Sequence, residues 1–354
     1  MEKENACTSA NGCWDLVDHY LTPIKPLFEL PGVTEIMVNR HDQVFIEQSG
    51  VMKKAPAIRF DDENHVYMLV NQIANALDQP VDRTTHPVLD GRLLDDTRVC
   101  GVLYPVSPNG TSVTFRIFPK KHITANDLVQ NDSLTAEMMD FLQVAMLCRC
   151  NILISGGTGS GKTTLLNALS AFIPETDRVL TVEDTRELRI VGDNHVHLEA
   201  PIRRKQADGQ HVDLAFLIKT TLRMKPTRII VGEIRDAGAA TAFLHAVNTG
   251  HSAASTIHAN SPVDALTRIQ TLVAGQGELP FDVVRAQVRS NLDLIVHAEN
   301  TPNHGRRIVS ITELIEKTPK ELWRWSYRRA EHEKTQQRSC IYDRLAKYGL
   351  ELPN

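Results

Sequence analysis

One stretch constrains this chain more than any other: Gly156-Gly157-Thr158-Gly159-Ser160-Gly161-Lys162-Thr163, a full match to G-x-x-x-x-G-K-[ST]. The apolar run Ile152-Leu153-Ile154 precedes it. Thr164 to Phe172 follows, with Leu165, Leu166, Leu169 and Phe172 at helical spacing. A strand entering a glycine loop and a helix leaving it is the context that gives the motif meaning. Glycines let the backbone wrap a phosphate and turn several N–H groups inward. The helix N-terminus adds a fixed partial positive charge. The spacing therefore predicts a nucleotide-phosphate cradle built from Gly157, Thr158, Gly159, Ser160, Gly161, Lys162, Thr163 and Thr164. Lys162 is expected to reach the β- and γ-phosphates, and the Thr163 hydroxyl to ligate magnesium, so ATP and Mg2+ are the expected cofactors.

A phosphate loop alone does not hydrolyse. Carboxylates must hold the metal and orient water, and in open α/β sheets such groups collect at the C-terminal ends of strands. Two acidic clusters end apolar β-runs: Val182-Glu183-Asp184, and Arg228-Ile229-Ile230-Val231-Gly232-Glu233. The second is similar to a Walker B strand with Gly232 where an aspartate usually sits. That substitution puts metal duty on Glu233 and makes Glu183 the better candidate for the water, leaving open which of the two is the base. His251 and His258 bracket the β-run 252–257 and are read as candidates for sensing or shaping the γ-phosphate site. No further ligands at suitable spacing support zinc.

The rest of the 354 residues read as α/β. The first domain, 15–118, is mixed. It has strands at 33–39, 43–48 and 51–54, a helix over 65–77, and a hairpin of 98–106 with 111–118 around Ser107-Pro108-Asn109-Gly110, since Asn-Gly supplies the conformations a tight turn needs. Residues 1–14 read as disordered and the polar stretch 119–132 as a linker. From 133 to 316, β-runs alternate with helical stretches, which predicts a mainly parallel sheet covered on both faces. Residues 317–354 form a basic extension that interleaves Trp323, Trp325 and Tyr327 with arginines. It reads either as a dock for a membrane platform or acidic membrane surface, or as a small packed aromatic cluster.

Composition sharpens the class. Hydrophobic residues make up 42% and charged residues 23%, ordinary for a globular protein, and the net charge of -4 disfavours a nucleic-acid coat. No apolar run reaches about 18 residues, the N-terminus lacks a secretory pattern, and six cysteines show no metal spacing, so reduced thiols and the cytoplasm are expected.

The order of motifs resembles the secretion ATPase superfamily of type II and type IV secretion, especially its tight-adherence pilus and conjugative-transfer branches. The resemblance rests on residues 156–163, Thr181-Val182-Glu183-Asp184, the stretch from Arg223 to Arg235, and Asn248-Thr249-Gly250-His251 through to His258-Ala259-Asn260-Ser261-Pro262. It spans roughly residues 30 to 315. It implies a RecA-like P-loop domain, a homohexameric ring that couples ATP hydrolysis to domain motion, and a site on the cytoplasmic face of the inner membrane beside platform or channel proteins. It also implies that the first domain lends arginines to the nucleotide. Arg98 and Arg116 match, Arg92 is a third candidate, and Arg235 is expected to order the site or neighbouring subunit contacts. Arg203, Arg204 and Lys205 are guessed to serve an interface. Two other readings remain: a DNA-translocating motor, which the acidic balance disfavours, and a nucleotide-gated scaffold with little turnover.

Overall fold

The structure, a computed structural model, describes residues 12–48, 50–117, 123–200, 212–277, 279–316 and 318–349. Arg203, Arg204 and Lys205 lie outside the described residues, as do 1–11 of the expected disordered N-terminus. The chain divides between His122 and Ile123 into two compact units.

The first unit is a six-stranded sheet in the order β3-β2-β1-β6-β5-β4, antiparallel throughout. Its strands are β1 Val33–Arg40, β2 Gln43–Gln48, β3 Val51–Lys54, β4 Val88–Arg92, β5 Arg98–Val102 and β6 Ser112–Arg116. The helix Glu63–Ala76 is capped by Asp62, whose side chain accepts from the His65 amide. Its fully buried Val66, Leu69, Val70 and Ile73 share one core with Leu89, Val99 and Phe115. Each such side chain contributes about 1.5–3 kcal/mol on burial. Gly101 keeps the approach close: a Cβ there would lie 3.0 Å from Val70.

The hairpin differs from expectation. β5 and β6 pair, ending at Val102 opposite Ser112, so the connection runs over 103–111 instead of the four residues 107–110. Leu103 is fully buried and its amide donates to Pro87, while Pro105 and Pro108 have no N–H for a ladder. The Asn-Gly pair does lie in a turn, closed by the Gly110 amide on Ser107, at the tip of that longer loop.

The second unit holds a nine-stranded sheet in the order β15-β14-β13-β12-β7-β11-β10-β8-β9. Six strands are parallel: β7 Ile152–Gly156, β8 Val179–Glu183, β9 His195–Glu199, β10 Arg228–Ile234, β11 Ser252–His258 and β12 Leu294–Thr301. Helices cover both faces. Ala136–Leu147 and Lys162–Ser170 pack into one apolar cluster. Leu214–Thr221, Ala237–Asn248, Pro262–Ala274 and Phe281–Asn291 pack into the other. Runs buried on both faces explain why β7, β8, β10, β11 and most of β12 read as continuously apolar.

Two boundaries move. Within the expected linker, Ala125–Gln130 is helical, because Thr124 and Asp127 form a capping box, and it belongs to the second unit. The expected extension continues the sheet. β13 Gly305–Ile315, β14 Thr318–Ser326 and β15 Glu331–Lys334 add antiparallel strands beyond β12. Trp323 and Trp325 are buried. Trp323 lies 5.0 Å from the Phe141 ring, and Trp325 stacks edge-on with His304 and His332. The packed-cluster alternative describes these two rings, whereas Tyr327 is exposed.

Candidate active site

The phosphate loop springs from the middle of the sheet. All of β7 is buried, and Gly156 sits in register with His258 on one side and Ala298 on the other. Gly156 has φ 153°, and a Cβ there would lie 2.1 Å from the Ala298 carbonyl oxygen, so no side chain fits. Gly161 begins the following helix at φ 96°, a left-handed conformation that glycine adopts without steric cost. The loop is braced from the β12–β13 hairpin: Arg306 Nε donates to Gly159 O at 2.9 Å. Behind it, Ser155 Oγ lies 2.8 Å from His297 Nδ1. Ser160 Oγ donates to Gly157 O.

Lys162 is 7% exposed, with Nζ donating to Gly157 O at 2.7 Å and Gly156 O at 3.0 Å. Burial lowers its pKa; the carboxylates of Glu233 and Glu187 oppose that, while Arg235 adds to it. Thr163 and Thr164 lie in the first turn of the helix, half-buried.

A line of charge runs from the lysine. Lys162 Nζ lies 3.4 Å from His258 Nδ1, and His258 Nε2 lies 2.8 Å from Glu233 Oε1. Glu233 Oε2 accepts from Arg235 Nε at 2.8 Å and Nη2 at 2.7 Å. Arg235 Nη1 is 3.7 Å from Asp184 Oδ2. Burial disfavours the Arg235 charge. Its bond to Glu233 and the fields of Glu233, Asp184 and Glu187 outweigh that, and its pKa is raised. The ends of β7, β8, β10 and β11 thus bring Lys162, His258, Glu233, Arg235 and Asp184 together.

Glu183 departs from expectation. It is 2% exposed and turned inward: Oε1 accepts from the Glu187 amide at 2.9 Å and the Leu188 amide at 3.0 Å. Burial raises its pKa to about 7, the two amide bonds notwithstanding. Glu187, which the sequence reading passed over, is less deeply buried, and its charge acts on both Lys162 and Arg235. The only available sign of it was a third acid four residues after Glu183. Arg306 gave no sign at all, because it reaches the loop across a hairpin.

His251 is not brought to the loop within one chain. It precedes β11, whereas the loop follows the C-terminal end of β7, and the two strands are parallel. Seven strand residues span about 23 Å. Its ring stays with the preceding helix end, 3.1 Å from Thr249 Oγ1 and 3.3 Å from Ala246 O.

In the first unit the candidate arginines form a row. Arg92 is opposite Arg98, Arg98 opposite Arg116, and Arg116 opposite Glu35. Arg98 Nη2 pairs with Asp90 at 3.1 Å, Arg92 Nη1 with Asp96 at 3.5 Å, and Arg116 Nε lies 4.0 Å from Glu35.

Several known proteins are similar to this chain over most of its length. "Probable conjugal transfer protein TrbB" of Sinorhizobium fredii (strain NBRC 101917 / NGR234) is 38% identical over 289 residues, covering 80% of this chain and 83% of the relative. "Type IV secretion system protein VirB11" of Brucella suis biovar 1 (strain 1330) is 33% identical over 317 residues, covering 82% and 87%. The X-ray structure of the Legionella pneumophila ATPase DotB superposes with a TM-score of 0.57 at 21% identity, over 85% of this chain and 80% of that one, which shows the shared fold. The model of the family described as "Type II/IV secretion system protein" matches residues 18–347, nearly the whole chain, and the chain belongs to that family.

Proposed function

We propose that this chain is an ATP-hydrolysing motor of a type IV secretion machine of the conjugative-transfer kind. The observation that carries the reading is the continuous contact from Lys162 through His258 to Glu233 and Arg235 at the mouth of a glycine-built phosphate loop. The family match and the names of the relatives point the same way.

The chain's own groups divide the work. Loop amides and Lys162 grip the phosphates, and Lys162 exchanges its bonds to Gly156 O and Gly157 O for phosphate oxygens. The oxygens of Thr163 and Glu233 are hard donors that would hold a magnesium ion, which would supply charge neutralisation at the phosphates. Glu233, held by His258 and Arg235, and Glu187 orient the attacking water; Glu183 sits behind them. Arg98 and Arg116, flanked by Arg92, are the cations that the first unit lends to the developing charge.

The motor works as a homohexamer beside inner-membrane platform or channel proteins, on the cytoplasmic side. None of the described helices is long and apolar enough to cross a membrane. Trp323 and Trp325 are buried and so not available to a lipid dock, while Tyr327 and Tyr348 are exposed. DNA is not expected as a direct partner of the ring.

Phosphate release by the purified protein with ATP tests the reading. Turnover that requires magnesium and vanishes in Lys162→Ala is expected. Unimpaired hydrolysis by that variant, or none by the parent protein, overturns it, and turnover that rises steeply with added DNA favours a translocase instead.

A further inference from the structure

Glu183 occupies a place the hydrolytic reading leaves unexplained. It is the most deeply buried acid near the phosphate loop, and its contacts run to the 187–188 backbone and to His197. Its Oε1 gathers two consecutive amides, Glu187 N at 2.9 Å and Leu188 N at 3.0 Å. Its Cγ rests on Gly232, where a Cβ would meet it at 2.8 Å. On its other side, Oε2 faces His197 Nδ1 at 3.5 Å, and that nitrogen lies 2.6 Å from Thr181 Oγ1. Thr181 and His197 are register partners across β8 and β9, so the carboxylate is clamped by the sheet itself.

The segment 184–188 is tied a second time. Asn167, on the helix that leaves the phosphate loop, donates through Nδ2 to Glu187 O at 3.0 Å and accepts at Oδ1 from Arg189 N at 2.8 Å. The backbone of Glu187 is therefore held at its N–H by Glu183 and at its C=O by Asn167. One tether comes from β8 and the other from the phosphate-loop helix. The side chain so fixed is one of the acids whose charge acts on Lys162 and Arg235, beside the stronger Glu233.

From this geometry we infer that Glu183 and Asn167 are positioning residues that fix Glu187 relative to the phosphate loop, with His197 bracing Glu183. The inference rests on the hydrolytic reading above. It assigns Glu183 work that needs its oxygen and not its charge: an acceptor for two amides. Displacing a catalytic group by about 1 Å costs on the order of 10²-fold in rate, so tethers of this kind act on turnover more than on binding.

The test uses the full chain, with kcat and KM for ATP and the affinity for ADP measured in parallel. Glu183→Ala and Asn167→Ala are expected to lower kcat at least tenfold, with KM and ADP affinity within about threefold of the parent. Glu183→Gln, whose amide oxygen still accepts both N–H groups, is expected to recover most of the turnover lost in Glu183→Ala. Glu187→Gln is expected to stay low, because its backbone is held but its charge is gone. If Glu183→Gln is as inactive as Glu183→Ala, the charge itself is required and the inference falls. It also falls if the alanine variants raise KM at unchanged kcat. If Glu183→Ala fails to fold, Asn167→Ala, which removes both contacts to the 187–189 backbone, decides: a kcat equal to the parent's overturns the tether. A parent protein without turnover condemns the hydrolytic reading first.

Discussion

Gly232 lies directly against Glu183: a Cβ at position 232 would stand 2.8 Å from Glu183 Cγ and 3.2 Å from Oε1. The glycine that takes the place of the usual aspartate at the end of β10 is thus packed against the acid of the neighbouring strand β8. Two strand ends that look like two separate catalytic acids in the sequence form one packed unit, with Glu233 facing the loop and Glu183 filling the space behind Gly232.

Enlarging Gly232 therefore destabilises. Gly232→Ala must displace the buried Glu183 side chain and is expected to cost about 1–3 kcal/mol, as other overpacked cores do. Urea titration followed by circular dichroism measures it. A midpoint equal to the parent's would show that Glu183 moves aside freely.

The buried carboxyl also makes stability depend on pH, with a defined sign. Its pKa is about 7 in the fold against 4.5 for an ordinary Glu, so the folded state holds the proton more tightly than the unfolded one. That favours folding at low pH, and the advantage fades as pH rises from 4.5 to about 7. The loss amounts to about 3 kcal/mol at most, on 1.36 kcal/mol per pKa unit. Glu183→Gln removes the titration. Its stability relative to the parent is expected to grow between about pH 5 and about pH 8. A constant difference across that range would refute the shift.

His258 joins Lys162 to Glu233, so removing it leaves the Glu233 carboxylate paired with Arg235 alone. His258→Ala is expected to lower kcat by about 10²-fold while ADP still binds, since the loop amides that grip the phosphates are untouched. Rapid phosphate-release assays at saturating ATP read it out. A matched drop in ADP affinity would move His258 from turnover to binding.

How much of this was legible follows from the range of the interactions involved. The phosphate loop and the strands β7, β8, β10 and β11 are written in local pattern, because buried parallel strands are continuously apolar and glycines mark the loop. β9 was not readable: His195–Glu199 is a half-buried edge strand carrying two histidines, and its pairing with β8 alone makes it a strand. His251 and His258 look equivalent in sequence, yet the strand between them puts them at opposite ends of the sheet. The inward packing of Glu183 and the hold on the Glu187 backbone were not legible, because they depend on Gly232 and Asn167, both distant in sequence. The tail left two readings open for a related reason. Aromatic rings among arginines resemble a surface dock until β13 offers β14 an edge to pair with.

That last point has its own test. Trp323 is 3% exposed, lies 5.0 Å from the Phe141 ring, and has the Lys334 ammonium 5.3 Å from its centroid. It is a core residue of the second unit, and Trp323→Ala is expected to cost about 3–5 kcal/mol. Deleting residues from 318 onward goes further, since it bares the edge of β13 and invites association between sheets. Arg344, whose Nη2 pairs with Asp293 at 2.6 Å, is lost as well, removing the pin between the tail's last turn and the sheet. Urea midpoints for the substitution and light scattering for the truncation check both expectations. A tail that served only as a membrane dock would leave stability and solubility as they are and weaken only co-sedimentation with anionic vesicles.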